Sequence, residues 1–394
     1  MASAAFMVLL AACTTVEAGT PASSPNQPVE QLKIAFIEDL SPAGAAGRTA
    51  PAFQGAKLAL DTVALTGELD VSVELVALDT GGNARTAAAA AREVAADPSY
   101  VAAIGAPFLA GQVTIGRILD RAGVPLITLS TLGPNLSENG WTGWRRAVAN
   151  QTRQGRALAR YVDGLPASGR GVCLLGDGSE ESSGLLHAVA RSLRATILLK
   201  AKILPSAAGP PPAVTAVSRA RCGVVVWGGF SDEGAPIRRH LVEAGLRRVN
   251  FVGGDGLKDE TYLSVAGGAG VGTVATCPCA DLTAATDLSA QRFIQDYQSD
   301  FGLPPAACAV EAFDVARMVL RAIRSGATTR AGVVRVLLGM PRFHGLGNVY
   351  VFRPDGELAP GSARVGLFRN EGGRWVEIRS PHARSSDTVR PAGA

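Results

Sequence analysis

The chain has 394 residues, of which 47% are hydrophobic and 18% charged, enough to build the cores of two or three ordinary domains. Its net charge is +4, from 38 basic and 34 acidic residues that are spread along the sequence. So mild and dispersed a balance gives no reason to expect a nucleic-acid partner, and none is predicted. After residue 13, no apolar stretch approaches the roughly 20 residues of a membrane-spanning helix.

The N-terminus carries a short apolar run that ends in Leu10-Ala11-Ala12-Cys13. The run suits the apolar region of a signal peptide, although no Lys or Arg precedes it. Small residues directly before a Cys resemble the cleavage site of bacterial lipoproteins, in which the Cys sulfur carries the lipid. We therefore predict a signal over residues 1–13, lipidation at Cys13 and membrane contact through that anchor alone. The alternative is a disordered Ala-rich tail with a chance Cys. Residues 14–31 are rich in Thr, Ser, Pro, Gly, Asn and Gln, and this composition predicts a flexible tether.

Short apolar strand patterns alternate with helical patterns from residue 32 to about residue 330. The predicted strands are residues 33–37, 71–78, 101–104, 125–129, 171–175, 197–203, 223–227, 250–252 and 271–276. The predicted helices are residues 52–65, 84–96, 110–122, 154–162, 181–193, 212–220, 234–244, 259–265, 290–301 and 310–325. Such alternation predicts an α/β fold with parallel sheets that helices cover.

The alternation is too long for one compact sheet, and a strand-like stretch at residues 145–150 leads into a new helix. We predict a break between two lobes there. The end of the chain differs in character, because residues 344–368 are β-rich and hairpin-like. Residues 380–394 are polar and predict a disordered tail.

Six cysteines occur, at Cys13, Cys173, Cys222, Cys277, Cys279 and Cys308. With the first assigned to lipid, five remain in a compartment where disulfides persist. Cys173 and Cys222 lie on or beside two strands of one predicted lobe and are candidate neighbours. Cys308 is a candidate partner of Cys277 or Cys279, and we predict two disulfides with one free thiol. Structural zinc takes about four ligands and no His lies near this Cys-Pro-Cys segment, so no metal site is predicted.

The turn after the strand at residues 171–175 reads Gly176-Asp177-Gly178-Ser179-Glu180-Glu181. A dinucleotide fingerprint needs Gly at the sixth position, and the charge of Glu181 there would repel a pyrophosphate. Residues 268–272 are Gly-rich but lead into a strand. No nucleophile elbow or phosphate-binding loop is present, and the four His are scattered. The sequence therefore predicts a binding protein without a cofactor, and not an enzyme.

Several short segments carry a family likeness through their order and spacing. They include Lys33-Ile34-Ala35-Phe36-Ile37, Phe53-Gln54-Gly55-Ala56-Lys57, Ala122-Gly123-Val124-Pro125, Trp227-Gly228-Gly229-Phe230, Phe251-Val252-Gly253-Gly254-Asp255 and Ala312-Phe313-Asp314. From about residue 32 to residue 378, the chain resembles the periplasmic binding proteins of the Leu/Ile/Val-binding type. The resemblance implies two doubly wound parallel-sheet lobes joined by three crossovers. It also implies a small-molecule ligand in the cleft, delivered to the permease subunits of an ABC importer.

The resemblance further implies where the lobes begin and end. One lobe is residues 32–148 plus 281–343, and the other is residues 149–280 plus 345–378. The crossovers are expected near Arg146, Cys279 and Gly345. Ligand is expected at the carboxyl ends of the strands, where open α/β sheets place it, and closure of the lobes would bury it.

The ligand-binding positions of that family map onto eight residues of this chain: Leu109, Ala110, Ser130, Thr131, Leu132, Glu181, Phe230 and Asp255. Leu109 and Leu132 stand where the family has the Ser and Thr that hold a ligand carboxylate. Glu181 replaces a Tyr, and Phe230 is aromatic but lacks the Tyr hydroxyl. Asp255 retains the acidic character of the residue that pairs with the ligand ammonium.

Each of these assignments has a structural alternative. Asp255, Ser130 and Thr131 are residue types that cap helices. Phe230 would pack on its own Gly turn. In a first helical turn, Glu181 is also favoured by the helix dipole as a solvated side chain.

The sequence thus favours a lipid-anchored, extracytoplasmic solute-binding protein of an ABC importer. Its ligand is predicted to be small and polar, amino-acid-like or amine-bearing, although Leu109 and Leu132 argue against an ordinary amino acid. Two alternatives stay open: a ligand-sensing receptor domain of the same fold, and a cell-envelope enzyme on an α/β scaffold.

Overall fold

The computed structural model of the chain describes residues 31–39, 50–105, 111–203, 212–283 and 285–378. The predicted signal, Cys13, the tether up to residue 30 and the predicted tail lie outside these residues. Within them, no helix combines the length and the apolar character that crossing a bilayer requires.

The described residues form fourteen strands and eleven α-helices. The strands are β1 (Gln31–Glu38), β2 (Ser72–Asp79), β3 (Tyr100–Gly105), β4 (Leu126–Thr128), β5 (Trp144–Arg146), β6 (Val172–Gly176), β7 (Ile197–Lys202), β8 (Val224–Trp227), β9 (Asn250–Gly253), β10 (Val274–Cys277), β11 (Phe343–His344), β12 (Val349–Tyr350), β13 (Gly366–Asn370) and β14 (Trp375–Ile378). The helices are α1 (Ala50–Thr66), α2 (Ala84–Ala96), α3 (Gln112–Arg121), α4 (Gln151–Asp163), α5 (Glu180–Ser192), α6 (Pro212–Ala220), α7 (Ser231–Glu243), α8 (Glu260–Ala266), α9 (Leu288–Phe301), α10 (Ala309–Arg324) and α11 (Arg330–Leu338).

The first sheet has the strand order β2-β1-β3-β4-β5, and all of its strands are parallel. Every residue of β3 is buried, as expected for a parallel strand that helices cover on both faces. Helix α10 packs against α1 on this sheet. A Cβ on Gly55 would come within 2.0 Å of the Ala309 carbonyl oxygen, so the close approach of these two helices requires glycine there.

The second sheet has the order β14-β13-β10-β9-β8-β6-β7. Strands β6 to β10 are parallel, and the antiparallel hairpin β13–β14 extends one edge. Trp227 of β8 is fully buried in its core. The predicted neighbours Cys173 and Cys222 form a disulfide with Cα atoms 5.8 Å apart, which joins β6 to the segment before β8.

The chain passes between the two sheets three times. It leaves the first sheet after Arg146 and begins α4 on the second. After β10, helices α9, α10 and α11 return to the core of the first sheet, and β13 then pairs with β10 in the second. The predicted fold class, two parallel-sheet lobes joined by three crossovers, is confirmed, while the lobe boundaries stay a prediction.

A buried carboxylate on α10 fastens the last of these connections. Asp314, fully buried, accepts hydrogen bonds from the N–H groups of Leu346 at 2.7 Å and Gly347 at 2.8 Å. It also accepts one from the Tyr350 hydroxyl at 3.0 Å. Burial raises the pKa of Asp314 to about 6, and these three donors act against that rise. The carboxylate is therefore a structural brace for the connection.

The prediction that Cys308 pairs with Cys277 or Cys279 is wrong. Cys277 and Cys279 form a disulfide with each other, and their Cα atoms lie 5.1 Å apart, within the range that disulfides span. Because the chain folds back over one residue at the end of β10, the two sulfurs meet without a third segment. Cys308 is a buried free thiol directly before α10.

Candidate ligand-binding site

The first turn of α4 lies where three loops of the two sheets meet. The Gln151 N–H donates to the Thr131 carbonyl at 3.0 Å, in the loop after β4. The Gln151 side-chain amide donates to the Glu181 carbonyl at 2.8 Å, at the start of α5. Gln154 donates from its side-chain amide to Asp255 Oδ1 at 2.5 Å, directly after β9. These bonds bring the predicted site residues Thr131, Glu181 and Asp255 to one place.

Helix α4 begins at this point because Asn150 caps it. The Asn150 side chain accepts a hydrogen bond from the Arg153 N–H at 3.2 Å. Gln151 and Gln154 are three positions apart and so lie on the same helix face. Both are buried, so their amides hold the surrounding loops rather than water.

Arg146, at the end of β5, positions the loop after β4. Its guanidinium donates to the carbonyls of Ser130 at 2.6 Å, Leu132 at 2.7 Å and Gly133 at 2.7 Å. Its Nε donates to Oε1 of Glu357 at 3.1 Å. Burial lowers the pKa of Arg146, and the Glu357 carboxylate acts against that change. The loop backbone is therefore tied to a fully buried cation.

Within this loop the predicted binding residues differ in how their side chains are used. Ser130 Oγ accepts hydrogen bonds from the Leu132 N–H at 3.2 Å and from the Gln112 amide at 3.0 Å, so it shapes the loop itself. The Leu132 side chain is buried. The buried Thr131 hydroxyl, in contrast, has no hydrogen bond to any described residue. The ligand roles of all three stay predictions.

Glu181 is only 2% exposed, and neither carboxylate oxygen has a hydrogen-bond partner in the described parts of the chain. Burial raises the pKa of this carboxyl well above its usual value, and the negative charge of Asp255 raises it further. Gln151 and Thr131 lie close to this carboxyl and lower its pKa, which acts against the rise. Neither side chain, however, has hydrogen-bond geometry with a Glu181 carboxylate oxygen. A solvated side chain, the structural alternative, does not fit this burial.

Asp255 opens a short 3-10 turn, Asp255–Leu257, after β9. Its side chain accepts from Gln154, and the following helix α8 is capped by Asp259 instead, so the helix-capping alternative does not describe Asp255. Burial raises the pKa of Asp255 to about 6, while the Gln154 hydrogen bond acts against that rise. Burial thus holds both carboxyl groups towards the neutral form, and at Glu181 the charge of Asp255 adds to this effect.

Phe230 lies beside this pair, between β8 and α7. A Cβ on Gly256 would come within 3.0 Å of the ring atom Cδ1 of Phe230, so the ring covers the residue that follows Asp255. The Phe230 N–H donates to Asp177 Oδ2 at 3.3 Å, and its carbonyl accepts from the Trp227 indole at 2.9 Å. The aromatic ring is therefore fixed at the carboxyl ends of β8 and β9.

Leu109 and Ala110 lie outside the described residues, so their roles stay predictions. No group of three or more His, Cys, Asp or Glu side chains in the described ranges is arranged to hold a metal ion. What the described site offers a ligand is hydrogen-bond acceptors, one free hydroxyl and an aromatic face.

Three residues that position the candidate site were missed in the sequence: Gln151, Gln154 and Arg146. The sequence does contain a signal for Gln151 and Gln154, because Asn150, a residue type that caps helices, precedes two Gln on one helix face. Arg146 gave none, because its partner Glu357 is 211 positions away along the chain.

Two parallel α/β sheets, joined by three crossovers and meeting at a polar site on their strand ends, define a two-lobed binding protein. The chain belongs to the periplasmic binding protein family, whose sequence profile matches residues 31–369. The family consists of binding proteins and not of enzymes.

The chain is similar to two curated proteins of that family. One is the Leu/Ile/Val-binding protein homolog 3 of Brucella melitensis, 24% identical over 338 residues, or 82% of this chain and 88% of the relative. The other is the Leu/Ile/Val-binding protein BraC3 of Rhizobium johnstonii, 27% identical over 232 residues, or 56% of this chain and 61% of the relative. The match to BraC3 therefore spans less than two thirds of that protein.

Among solved structures, the chain is similar to the substrate-binding protein LivJ of Streptococcus pneumoniae in complex with isoleucine. The TM-score is 0.78 at 20% identity, covering 88% of this chain and all of that one (100%). This likeness establishes the fold, and the confirmed family places the protein among extracytoplasmic proteins that bind small molecules.

Proposed function

We propose that this protein is a solute-binding protein that delivers a small polar, amine-bearing ligand of amino-acid size to the permease of an ABC importer. The ligand occupies the place where the loops after β4 and β9 and the start of α5 meet the first turn of α4. Asp255 pairs with the ligand ammonium. The Thr131 hydroxyl and the main-chain N–H groups of its loop bind an acceptor group of the ligand.

One observation carries this proposal: the Asp255 carboxylate is held at the carboxyl end of β9 by a 2.5 Å hydrogen bond from Gln154. A carboxylate fixed at a strand end is a strong partner for an ammonium group, because hydrogen bonds between ions are stronger than neutral ones. The names of the curated relatives and the isoleucine bound to LivJ support an amine-bearing ligand.

Calorimetric titration of the purified protein with amino acids, amides and simple amines tests the proposal. Asp255→Ala is expected to weaken binding of the ligand by more than about 1.5 kcal/mol, since it removes a charge-assisted hydrogen bond. Glu260→Ala, an exposed acidic residue five positions away at the start of α8, is the matched control and is expected to leave affinity unchanged. Unchanged affinity in Asp255→Ala removes Asp255 from the site. A panel in which no compound binds contradicts the proposed function.

The lipid anchor at Cys13 belongs to the same proposal. Its support is the sequence alone: small residues before Cys13 and a polar segment between Cys13 and β1. Fractionation of cells that express Cys13→Ala is expected to find the protein released from the membrane fraction. Retention in that fraction contradicts the anchor while leaving the ligand site untouched.

A further inference from the structure

The Glu181 carboxylate is buried without the hydrogen bonds that a structural carboxylate normally accepts. At 2% exposure, with neither oxygen hydrogen-bonded by a described residue, it contributes no bond to the packing around it. Neither Glu181 nor Asp255 forms an ion pair with a Lys or Arg in the described ranges. Burying a carboxyl group without a partner costs free energy, and such a group commonly marks a functional site.

Three of the side-chain atoms without a partner in the described residues share one chemical property. They are the two Glu181 carboxylate oxygens and Gln154 Oε1, which accept hydrogen bonds and cannot donate them. The Thr131 hydroxyl, which also has no partner there, is left to donate to the acceptor group of the ligand. The Gln154 amide nitrogen is already bonded to Asp255, and its oxygen Oε1 has no partner in the described residues. A ligand that satisfies these acceptors must bring several N–H donors.

We propose that the site binds a ligand with two cationic groups, one at Asp255 and a second at Glu181, so that Glu181 is the residue that selects for the second positive charge. This inference rests on the proposed function and narrows its ligand class to basic amino acids and diamines. An aliphatic side chain would leave Glu181 buried and unpaired in the complex. A second ammonium or a guanidinium would pair with it and supply up to three or five donors, respectively.

The position of Glu181 fits this selective role. It occupies the second position of α5, on the second sheet, and its carboxyl faces the Thr131 loop of the first sheet. A cation at this place therefore touches both sheets, and its binding would favour the closed arrangement of the lobes.

The test uses two matched pairs of probes, at constant ionic strength: L-lysine against L-norleucine, and putrescine against n-butylamine. Each pair differs by one ammonium group. We expect the dicationic or basic member of at least one pair to bind at least about 10-fold more tightly to the native protein, the scale of one desolvated charge pair. Glu181→Gln, which preserves the side-chain volume, is expected to reduce that preference to less than about 3-fold.

Glu180→Gln is the matched control, because it removes the same charge from the neighbouring position of α5, where the side chain is exposed. It is expected to leave the preference unchanged. Native protein that binds L-norleucine and n-butylamine as tightly as their partners overturns the inference but leaves the proposed function intact. A preference that persists in Glu181→Gln likewise overturns it. If none of the four probes and no other amine or amino acid binds, both proposals are wrong.

Discussion

The carboxyl groups on α10 and those of the candidate site differ in the hydrogen bonds that they accept from the described residues. On α10, Asp314 accepts three hydrogen bonds, and Glu311 accepts one from the Ala280 N–H at 2.6 Å, beside the second connection between the sheets. In the candidate site, Glu181 accepts none in the described residues and Asp255 accepts one from a side chain.

Burial raises the pKa of the carboxyl group in both sets, to about 6 for Asp314 and to about 7 for Glu311. The difference lies in the donors. Backbone N–H groups meet the carboxylates of α10, so these residues stabilise the fold that holds the lobes together. The described residues supply no such donors at Glu181, and in the proposal above a ligand supplies them. Backbone donors therefore distinguish Asp314 and Glu311 from Glu181, although Glu311 Oε2, like the Glu181 oxygens, has no partner in the described residues.

The largest expected effect concerns the structural set. Asp314→Ala leaves two N–H groups and the Tyr350 hydroxyl buried without an acceptor, and we expect the free energy of unfolding to fall by about 3 kcal/mol. Urea denaturation at pH 7.5 measures it. Tyr350→Phe, which removes one of the three donors, is the control and is expected to cost about 1 kcal/mol. A loss in Asp314→Ala no larger than in the control would show that Asp314 does not brace the connection.

A smaller effect of opposite sign is expected in the site. Because the pKa of Glu181 is raised in the folded state, the native protein holds its proton at a pH where the unfolded chain has released it. The stability of the ligand-free protein therefore decreases as pH rises above the usual pKa of a Glu carboxyl. Glu181→Gln removes this penalty, so its advantage in stability over the native protein should be smallest near the usual pKa of a Glu carboxyl and should grow as the pH rises to 8.

Urea denaturation of both proteins between pH 5 and pH 8 measures this difference. Raised pKa values are also found for Asp255, Glu311 and Asp314, so their titration contributes to the stability curves of both proteins. Only the difference between the two curves reports the titration of Glu181. Glu180→Gln is expected to follow the native curve. A constant difference between Glu181→Gln and the native protein across this range would mean that the Glu181 pKa is not raised.

The fold could be predicted from the sequence because its strands are short apolar runs between amphipathic helices. Strand β5 (Trp144–Arg146) was predicted only as a strand-like stretch at residues 145–150, because it contains no apolar run and the partners that satisfy the buried Arg146 lie on other segments. Helix α11 and strand β14 were not predicted. The hairpin strand β14 is only partly buried, so its sequence carries a weak pattern.

The site could be predicted only in part. The resemblance placed Glu181 and Asp255 at binding positions, and the structure brings them together with Thr131. The absence of partners for Glu181 could not be foreseen, because it depends on how the loop after β4 meets the start of α5. Gln154, which orients Asp255 from 101 positions away, shows the same dependence on tertiary contact.

The smallest expected effect is the coupling between the two carboxyl groups of the site. Asp255 raises the pKa of Glu181 through its charge, so each substitution relieves part of the same repulsion. In ligand-free protein at pH 7.5, Glu181→Gln and Asp255→Asn should each raise the free energy of unfolding. The double variant should gain less than the sum, by about 0.5–1 kcal/mol, as expected for groups in contact. Combining Glu180→Gln with Asp255→Asn is the additive reference. Full additivity in the Glu181 cycle would mean that the two carboxyl groups do not sense each other, contrary to the effect of the Asp255 charge on the pKa of Glu181.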